Sequence, residues 1–399
     1  MPHRWEFKPR FRRRAFGWRS QPAILRIREA VGEIRRVGRH DPVLGAEGAV
    51  TLLERLSPAL EEVDSSSGYI GMAVNRAIDE LVPVIAAAPA APATRAKWLE
   101  RLWAALQEDQ IPYIEQLGDR WGALCASPEV ASAWADELIG ITRQALSPDP
   151  TLHGYFVGTS ACLSALHHAG RQQEIVDLVP AEAPWHDRQW VVRALAAMGR
   201  QSDAIQLAEA CRGPWTPDGA VDHLCEEILL SSGLTDEAYR RYALKANRQS
   251  TYVATFRAVA RKYPDRSARE ILADLAESTP GEEGKWFAAA REAGLRQEAL
   301  ALARMSPCDP RTLTRAARDW AGEDPGAAVE AGLLALHWVA KGYGYELSGA
   351  DVWAAYARAV EAAERVGRAD EVRAQVRQLV EAASPGGFLT QVLGRELRS

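Results

Sequence analysis

Cations and aromatic rings alternate near the start of the chain, in a pattern suited to an anionic partner. The segment EFKPRFRRRAFGWRS, residues 6–20, holds six basic residues, four aromatic residues and one acid. Guanidinium groups neutralise phosphates while aromatic rings stack on bases, so this basic arm is a candidate for nucleic-acid binding. The candidate residues of the arm are Arg10, Arg12, Arg13, Arg14, Trp18 and Arg19.

Two other interpretations of the arm remain open. Phe11, Phe16 and Trp18 could pack onto the first helices and cover the apolar end of a helical array, which is the interpretation that we favour. Alternatively, residues 11–38 could form a basic amphipathic element that lies on an anionic membrane or in the groove of a partner protein. The same side chains therefore have structural and binding interpretations.

A second basic segment lies in the middle of the chain. Residues 240–262 contain seven basic residues and no acid. Arg257 and Arg261 are four residues apart, so they share one helix face, and stacked neighbouring helices would extend them into a basic concave stripe that could bind an acidic peptide. The candidate stripe residues are Arg257, Arg261, Lys285, Arg311, Arg315 and Arg318. The alternative is a set of solvated side chains with salt bridges, for which the candidate acids are Glu282, Glu283 and Asp319.

Residue patterns for catalysis or metal binding are weak. No phosphate-binding loop, dinucleotide fingerprint, nucleophile elbow or zinc-protease motif occurs in the sequence. His223 and Cys225 are two residues apart, a spacing that points ligands in different directions on a helix. His186 and Asp187 are sequence neighbours, and an acid in a first turn is explained by the helix dipole. We therefore predict no enzymatic activity, no metal and no cofactor.

Composition indicates an ordinary globular protein with an uneven charge distribution. Residues 1–40 hold twelve basic residues and three acids, although the whole chain of 399 residues has a net charge of -5. The five cysteines are scattered without a C-x-x-C pair, which favours a reducing compartment. No apolar run is long enough to span a bilayer, which disfavours a membrane partner. We therefore expect a soluble, cytoplasmic protein.

Apolar residues recur at three- and four-residue steps along most of the chain, which predicts helices. In the first part, helices are predicted at 21–38, 45–63, 68–88, 93–108, 113–125 and 129–146. Pro58 and Pro83 are expected to kink or split theirs.

Five similar segments follow, each with a glycine, an acid four residues later, and then a small or aliphatic residue. The glycines are Gly170, Gly199, Gly233, Gly294 and Gly367. The acids are Glu174, Asp203, Glu237, Glu298 and Glu371. A left-handed glycine that ends one helix, followed by an acid in the first turn of the next, predicts a helical hairpin. With two degenerate units, the spacing predicts seven hairpins between about 153 and 384.

The predicted organisation is all-α, with four segments. They are the arm (1–20), a non-repetitive helical region (21–147), irregular tetratricopeptide-like hairpin repeats (148–385) and a C-terminal tail (386–399). Segments such as GAEGAVTLLERLSPALEEVDSSSG, STPGEEGKWFAAAREAGL and SPCDPRTLTRAARDW together resemble an uncharacterised bacterial family of helical-repeat proteins. This resemblance implies a helical, bacterial and intracellular protein, and it implies no reaction.

An array of hairpins presents an extended groove without a closed reaction pocket. The sequence therefore predicts a non-enzymatic α-solenoid scaffold that binds another protein or an acidic peptide in its groove. The alternative is a nucleic-acid-binding accessory protein that uses the arm, the stripe or both.

Overall fold

The computed structural model describes residues 3–149, 151–152, 154–344, 346–383 and 387–394, and every regular element in these ranges is a helix. The predicted all-α class is therefore confirmed. Contacts divide the chain into two compact units, residues 1–221 and 222–399. This division lies inside the predicted repeat region, within one helix, and not between residues 147 and 148.

The first unit begins with a single 3-10 turn, Lys8–Arg10, and continues with α-helices. They are α1 (Ser20–Gly38), α2 (Pro42–Leu60), α3 (Tyr69–Ala87), α4 (Pro92–Gln107), α5 (Gln116–Asp119), α6 (Trp121–Cys125), α7 (Pro128–Ala145), α8 (Thr159–His168), α9 (Gln172–Leu178), α10 (Trp185–Ala197) and α11 (Gln201–Ala210). The helices predicted up to residue 146 are confirmed, except that 113–125 is divided at Arg120. Asp41 and Ser127 begin α2 and α7, because each side chain accepts a backbone N–H from the first turn.

Two prolines lie inside helices without splitting them. Pro58 is in the last turn of α2, and Pro83 lies four residues before the end of α3. A proline removes one backbone donor, and so close to a helix end few residues remain to be affected. Of the predicted kink or split, the split does not occur at either proline.

Helices α1 and α3 flank α2 and run in the same direction. Gly38, at the end of α1, lies against Gly45 near the start of α2, which makes these two helices antiparallel neighbours. The Arg35 guanidinium is 2.8 Å from the Glu80 carboxylate, so the C-terminal halves of α1 and α3 are side by side. Most residues of α2 are buried, and this helix forms the centre of the three.

The second unit contains shorter helices and one π-helical turn, Tyr239–Ala243. Its α-helices are α12 (Ala220–Ser231), within which the division falls, α13 (Thr235–Ala238), α14 (Leu244–Ala246), α15 (Tyr252–Lys262), α16 (Ala268–Glu277), α17 (Phe287–Glu292), α18 (Arg296–Met305), α19 (Pro310–Trp320), α20 (Pro325–Ala340), α21 (Gly349–Arg365), α22 (Ala369–Ala382) and α23 (Phe388–Leu393). A 3-10 turn, Glu283–Trp286, precedes α17. The predicted tail 386–399 thus contains α23, and its residues 386 and 395–399 lie outside the described residues.

The predicted glycine turns are confirmed. All five glycines have φ between 71° and 79°, a left-handed conformation that other residues adopt at a cost. The residue after each glycine donates its backbone N–H to the carbonyl five residues earlier, as Arg171 does to Leu166 and Leu295 does to Ala290. The five predicted acids lie in first turns, and the residue after each acid is buried. Helices joined in this way form pairs.

Neighbouring pairs contact each other through equivalent helices. In the second unit α15 contacts α17 and α19 contacts α21, and these are first helices of their pairs. The second helices do the same, since α18 contacts α20 and α20 contacts α22. In the first unit α8 contacts α10. Within the described parts of residues 159–382, seven helix pairs follow one another.

Candidate functional site

The aromatic residues of the arm pack against the protein. Trp5, Phe7, Phe11 and Phe16 are buried, and neighbouring ring centroids in this series are 5.4, 6.2 and 5.4 Å apart. Gly48 of α2 faces the Trp5 ring so closely that a Cβ atom there would be 2.3 Å from it. These four rings are unable to stack on bases without leaving the core.

Three of the six candidate arm residues form ion pairs with α1 and with the end of α2. Arg10 lies 3.2 Å from Glu29, and Arg13 and Arg14 each lie 2.9 Å from Glu61. The hydrogen bond from Arg14, followed by the charge of Arg13, holds the pKa of Glu61 below its usual value. Three of the five candidate arginines of the arm are thus paired with acids that lie 19 to 48 residues further along the chain.

The remaining arm candidates face solvent. Arg12 donates a hydrogen bond to the Pro9 carbonyl, and neither Arg12 nor Arg19 forms an ion pair with a described residue. Trp18 is 72% exposed, although its backbone carbonyl accepts a hydrogen bond from Asp64. Trp18 therefore contributes nothing to the buried aromatic series, unlike Phe11 and Phe16.

Five of the stripe candidates lie on first helices, as predicted, whereas Lys285 lies in the 3-10 turn before α17. Most of the six are paired. Arg257 forms a two-point ion pair with Glu292, and the Lys285 ammonium is 2.5 Å from Glu282. Arg311 binds both carboxylate oxygens of Asp351, at 3.1 and 3.0 Å. The hydrogen bond from Arg311 lowers the pKa of Asp351 below its usual range.

The other stripe candidates are less tightly held. Arg318 lies 2.8 Å from its neighbour Asp319, and Arg315 is 4.0 Å from Asp309. Arg261 is exposed and forms no ion pair within the described ranges. Five of the six positive charges thus have a carboxylate nearby, and the net positive charge of the stripe is small. Two of these carboxylates, Glu282 and Asp319, are among the predicted acids.

The residues considered for metal binding are separated by burial. Cys225 is fully buried whereas His223 is exposed, so the two side chains do not face the same space. In the part of the chain that the structure describes, no group of three His, Cys, Asp or Glu side chains is placed to hold a metal ion.

His186 contacts a serine that the sequence pattern did not single out. Its Nε2 atom is 2.5 Å from Ser160 Oγ and 4.0 Å from Asp119 Oδ1. In a catalytic triad the acid binds the other ring nitrogen, so this arrangement differs from one. Ser160 is only 6% exposed. The contact joins α5, α8 and α10, and burial raises the pKa of Asp119.

A buried carboxylate organises the start of the second unit. Glu226 is fully buried and accepts hydrogen bonds from Asn247, Lys262 and Tyr263, each at 2.6 Å. Lys262 belongs to the acid-free segment 240–262, yet it points its ammonium inward. Burial, followed by the hydrogen bond to Glu226, raises the pKa of Tyr263 well above its usual value. No local pattern distinguishes Glu226 from its exposed neighbour Glu227.

An open groove with a volume of about 1220 Å³ lies beside this network. It is lined by residues from two stretches, 233–244 and 263–278, so α13, the π-helical turn and α16 form its walls. We call it the acidic groove, because six acids and only two arginines, Arg240 and Arg266, line it. The acids are Asp236, Glu237, Asp265, Glu270, Asp274 and Glu277.

Aromatic rings form part of the acidic groove. The Tyr239 and Tyr263 rings meet edge to face at 5.1 Å, and Tyr239 donates a hydrogen bond of 2.6 Å to Asp274. The Arg266 guanidinium lies 4.3 Å from the centre of the Tyr239 ring and 2.7 Å from Asp236. A guanidinium between a ring and a carboxylate is therefore already part of this surface.

Comparisons of the chain with protein-family models, curated proteins and solved structures found no match. The resemblance to a bacterial helical-repeat family thus stays a prediction. Within the described residues, no helix has both the length and the apolar character needed to cross a bilayer.

Proposed function

We propose that the protein is a non-enzymatic, tetratricopeptide-like α-solenoid scaffold that binds a basic segment of another protein in the acidic groove. The observation that carries this proposal is the groove itself, with a formal balance of -4 from six acids and two arginines. Opposite charge on a partner would be attracted to it and oriented by it.

The solenoid part of the proposal is supported by the helix pairs. Five of the seven described pairs are closed by left-handed glycines, and equivalent helices of several successive pairs are in contact within the units. Such arrays offer extended surfaces between repeats and not enclosed reaction pockets. A binding role suits this architecture better than catalysis does.

The contacts of Arg266 show how this surface accommodates a guanidinium, and a partner's arginine can make contacts of the same kind. Arg266 stacks on Tyr239 while binding Asp236. Asp265 and Glu277 are exposed at the same groove, and neither forms an ion pair with a described residue. A partner's arginine or lysine can bind these carboxylates and lay its aliphatic part against Leu234 and Leu244.

Fluorescence anisotropy with a short labelled peptide of arginine, alanine and tyrosine residues tests the proposal, beside a counterpart in which glutamate replaces every arginine. We expect the arginine peptide to bind and the glutamate peptide to fail. Glu277→Lys should weaken binding about fivefold, and combination with Asp265→Lys should weaken it more than about tenfold.

The matched control is Glu381→Lys, because Glu381 is also exposed, forms no ion pair with a described residue and lies outside the groove. This control should bind the arginine peptide as the unmodified protein does. Equal binding of both peptides, or equal loss in Glu277→Lys and Glu381→Lys, would count against the acidic groove as the site.

The predicted acidic-peptide partner depended on free positive charge along the stripe. Since carboxylates lie beside most of that charge, we base the present proposal on the acidic groove. The stripe prediction has its own test, since charge reversal of Arg261 and Arg315 would abolish binding of an acidic peptide there and leave the arginine peptide unaffected.

Nucleic-acid binding by the arm is the second candidate, and one observation favours it. Arg4, Lys8, Arg12 and Arg19 are exposed and form no ion pair with described residues. Four unpaired cations can neutralise phosphates, and binding would then fall steeply with salt. Anisotropy with labelled DNA and RNA across a salt series tests this candidate. The variant for this test is the double substitution Arg12→Glu with Arg19→Glu, because deletion of the arm would also remove four buried rings. Unchanged binding in this double variant would exclude the arm.

A further inference from the structure

A second groove lies in the first unit, between α1 and α3 on the side away from α2. Its volume is about 730 Å³, and its lining recurs at three- and four-residue steps along both helices. From Gln21 to Arg35 the groove extends about 21 Å at the rise of an α-helix. Its shape is that of a channel between two parallel helices.

The floor of this groove is apolar and partly open to solvent. The apolar lining residues are Ile24, Ile27, Val31, Met72, Ala73 and Ala77. Met72 is 68% exposed, and Tyr69 at the same groove is 61% exposed. Large side chains exposed together along a groove are typical of interaction sites.

The rim is cationic. Arg28, Arg35 and Arg76 line the groove with a single acid, Glu80, which gives a balance of +2. Glu80 already binds both Arg35, at 2.8 Å, and Arg76, at 3.1 Å. Arg28 forms no ion pair within the described ranges. We call this channel the arginine-rimmed groove.

We infer that the arginine-rimmed groove binds an amphipathic helix of a partner protein whose apolar face is flanked by aspartate or glutamate. Two parallel helices with an apolar channel between them can receive a third helix, because side-chain ridges fit into grooves at such contacts. The cationic rim selects acids beside the apolar face of that helix. This surface is separate from the acidic groove and would take a partner of opposite charge.

A synthetic helical peptide of about 18 residues, or about 27 Å, is the probe. It carries leucines at i, i+3, i+4 and i+7 with glutamates on both sides of the leucine face, and its counterpart carries lysines in place of the glutamates. In anisotropy measurements, the glutamate probe should bind at least about tenfold more tightly than the lysine probe.

Matched variants test the site itself. Met72→Glu should weaken binding of the glutamate probe more than about tenfold, because it places an acid in the apolar floor. Met305→Glu is its control, since Met305 is 67% exposed in α18, in the other unit. Arg28→Glu should weaken binding about fivefold, whereas Arg39→Glu, just after α1 and outside the groove lining, should leave it within about twofold.

Sedimentation with anionic phosphatidylglycerol vesicles distinguishes a membrane from a protein partner. If vesicles bind the protein and Met72→Glu abolishes that binding while the glutamate probe fails to bind, the inference is overturned in favour of a membrane. Equal affinity for the two probes would overturn it too, as would equal loss in Met72→Glu and Met305→Glu. None of these outcomes depends on the acidic groove, so the two proposals fail separately.

Discussion

The two grooves of this protein differ in charge and in what holds them in place. The acidic groove has tyrosines in its wall, and one of them, Tyr263, binds the buried carboxylate of Glu226. The arginine-rimmed groove lies over apolar contacts among α1, α2 and α3, and on its rim Glu80 forms ion pairs with Arg35 and Arg76. Buried charge positions the first, and apolar packing positions the second.

Charged residues in the sequence are therefore a poor guide to the charge of the folded surface. The arm is rich in cations, yet three of its five candidate arginines are paired and four of its rings are buried. The segment 240–262 has no acid, yet the groove beside it is acidic. Helix packing brings distant acids to local cations and thereby decides the surface charge.

The largest expected effect tests the contribution of apolar packing to the stability of the first unit. Phe11→Ala should lower the free energy of unfolding of the first unit by about 3–4 kcal/mol, because a fully buried ring is removed from the aromatic series that covers α1 and α2. Urea unfolding, with hydrogen exchange of residues 20–60, measures the loss. Trp18→Ala is the control, since this exposed ring should cost less than about 0.5 kcal/mol. Equal costs would mean that the arm does not stabilise the unit.

A smaller expected effect tests the contribution of the buried Glu226 carboxylate to the stability of the second unit. Glu226→Gln should cost the second unit about 2 kcal/mol, because one amide oxygen replaces two carboxylate oxygens that accept from Asn247, Lys262 and Tyr263. The exposed Glu381→Gln should be neutral in the same urea experiment.

The same variant separates the grooves. Because Tyr263 lines the acidic groove, Glu226→Gln should weaken binding of the arginine peptide and leave binding of the glutamate helix probe unchanged. Weaker binding of both peptides would contradict the conclusion that different contacts hold the two grooves in place.

The helices and their turns could be predicted from sequence because their causes are local. Apolar periodicity gave α1, α3, α4 and α7 within one residue at each end. The glycine and the acid four residues later predicted left-handed turns, since both signals act within one helix end. A further left-handed glycine, Gly342 at the end of α20, was missed although Glu346 follows it by four residues, and Glu346 lies before the start of α21 and not in its first turn.

The candidate sites could not be predicted in the same way, because their contacts are distant in sequence. Arg257 pairs with Glu292 and Arg311 with Asp351, partners that are 35 and 40 residues away. Which acid meets which cation depends on how successive helix pairs pack, and the intervals between the glycines vary. Both grooves are lined by helices that are separated in sequence, so no short pattern marks them.

The smallest expected effect tests the glycine turns, which occur in both units. Gly170→Ala in the first unit and Gly294→Ala in the second should each cost about 1 kcal/mol, because both positions have a left-handed backbone and space for a methyl group. Gly140→Ala is the matched control, since Gly140 lies inside α7 with open space around it, and it should stabilise by about 0.5 kcal/mol. Hydrogen exchange of residues 159–178 and 287–305 measures both turns. Similar losses would indicate one type of helix pair in both units, whereas a loss at only one turn would mean that the pairs themselves differ between the units.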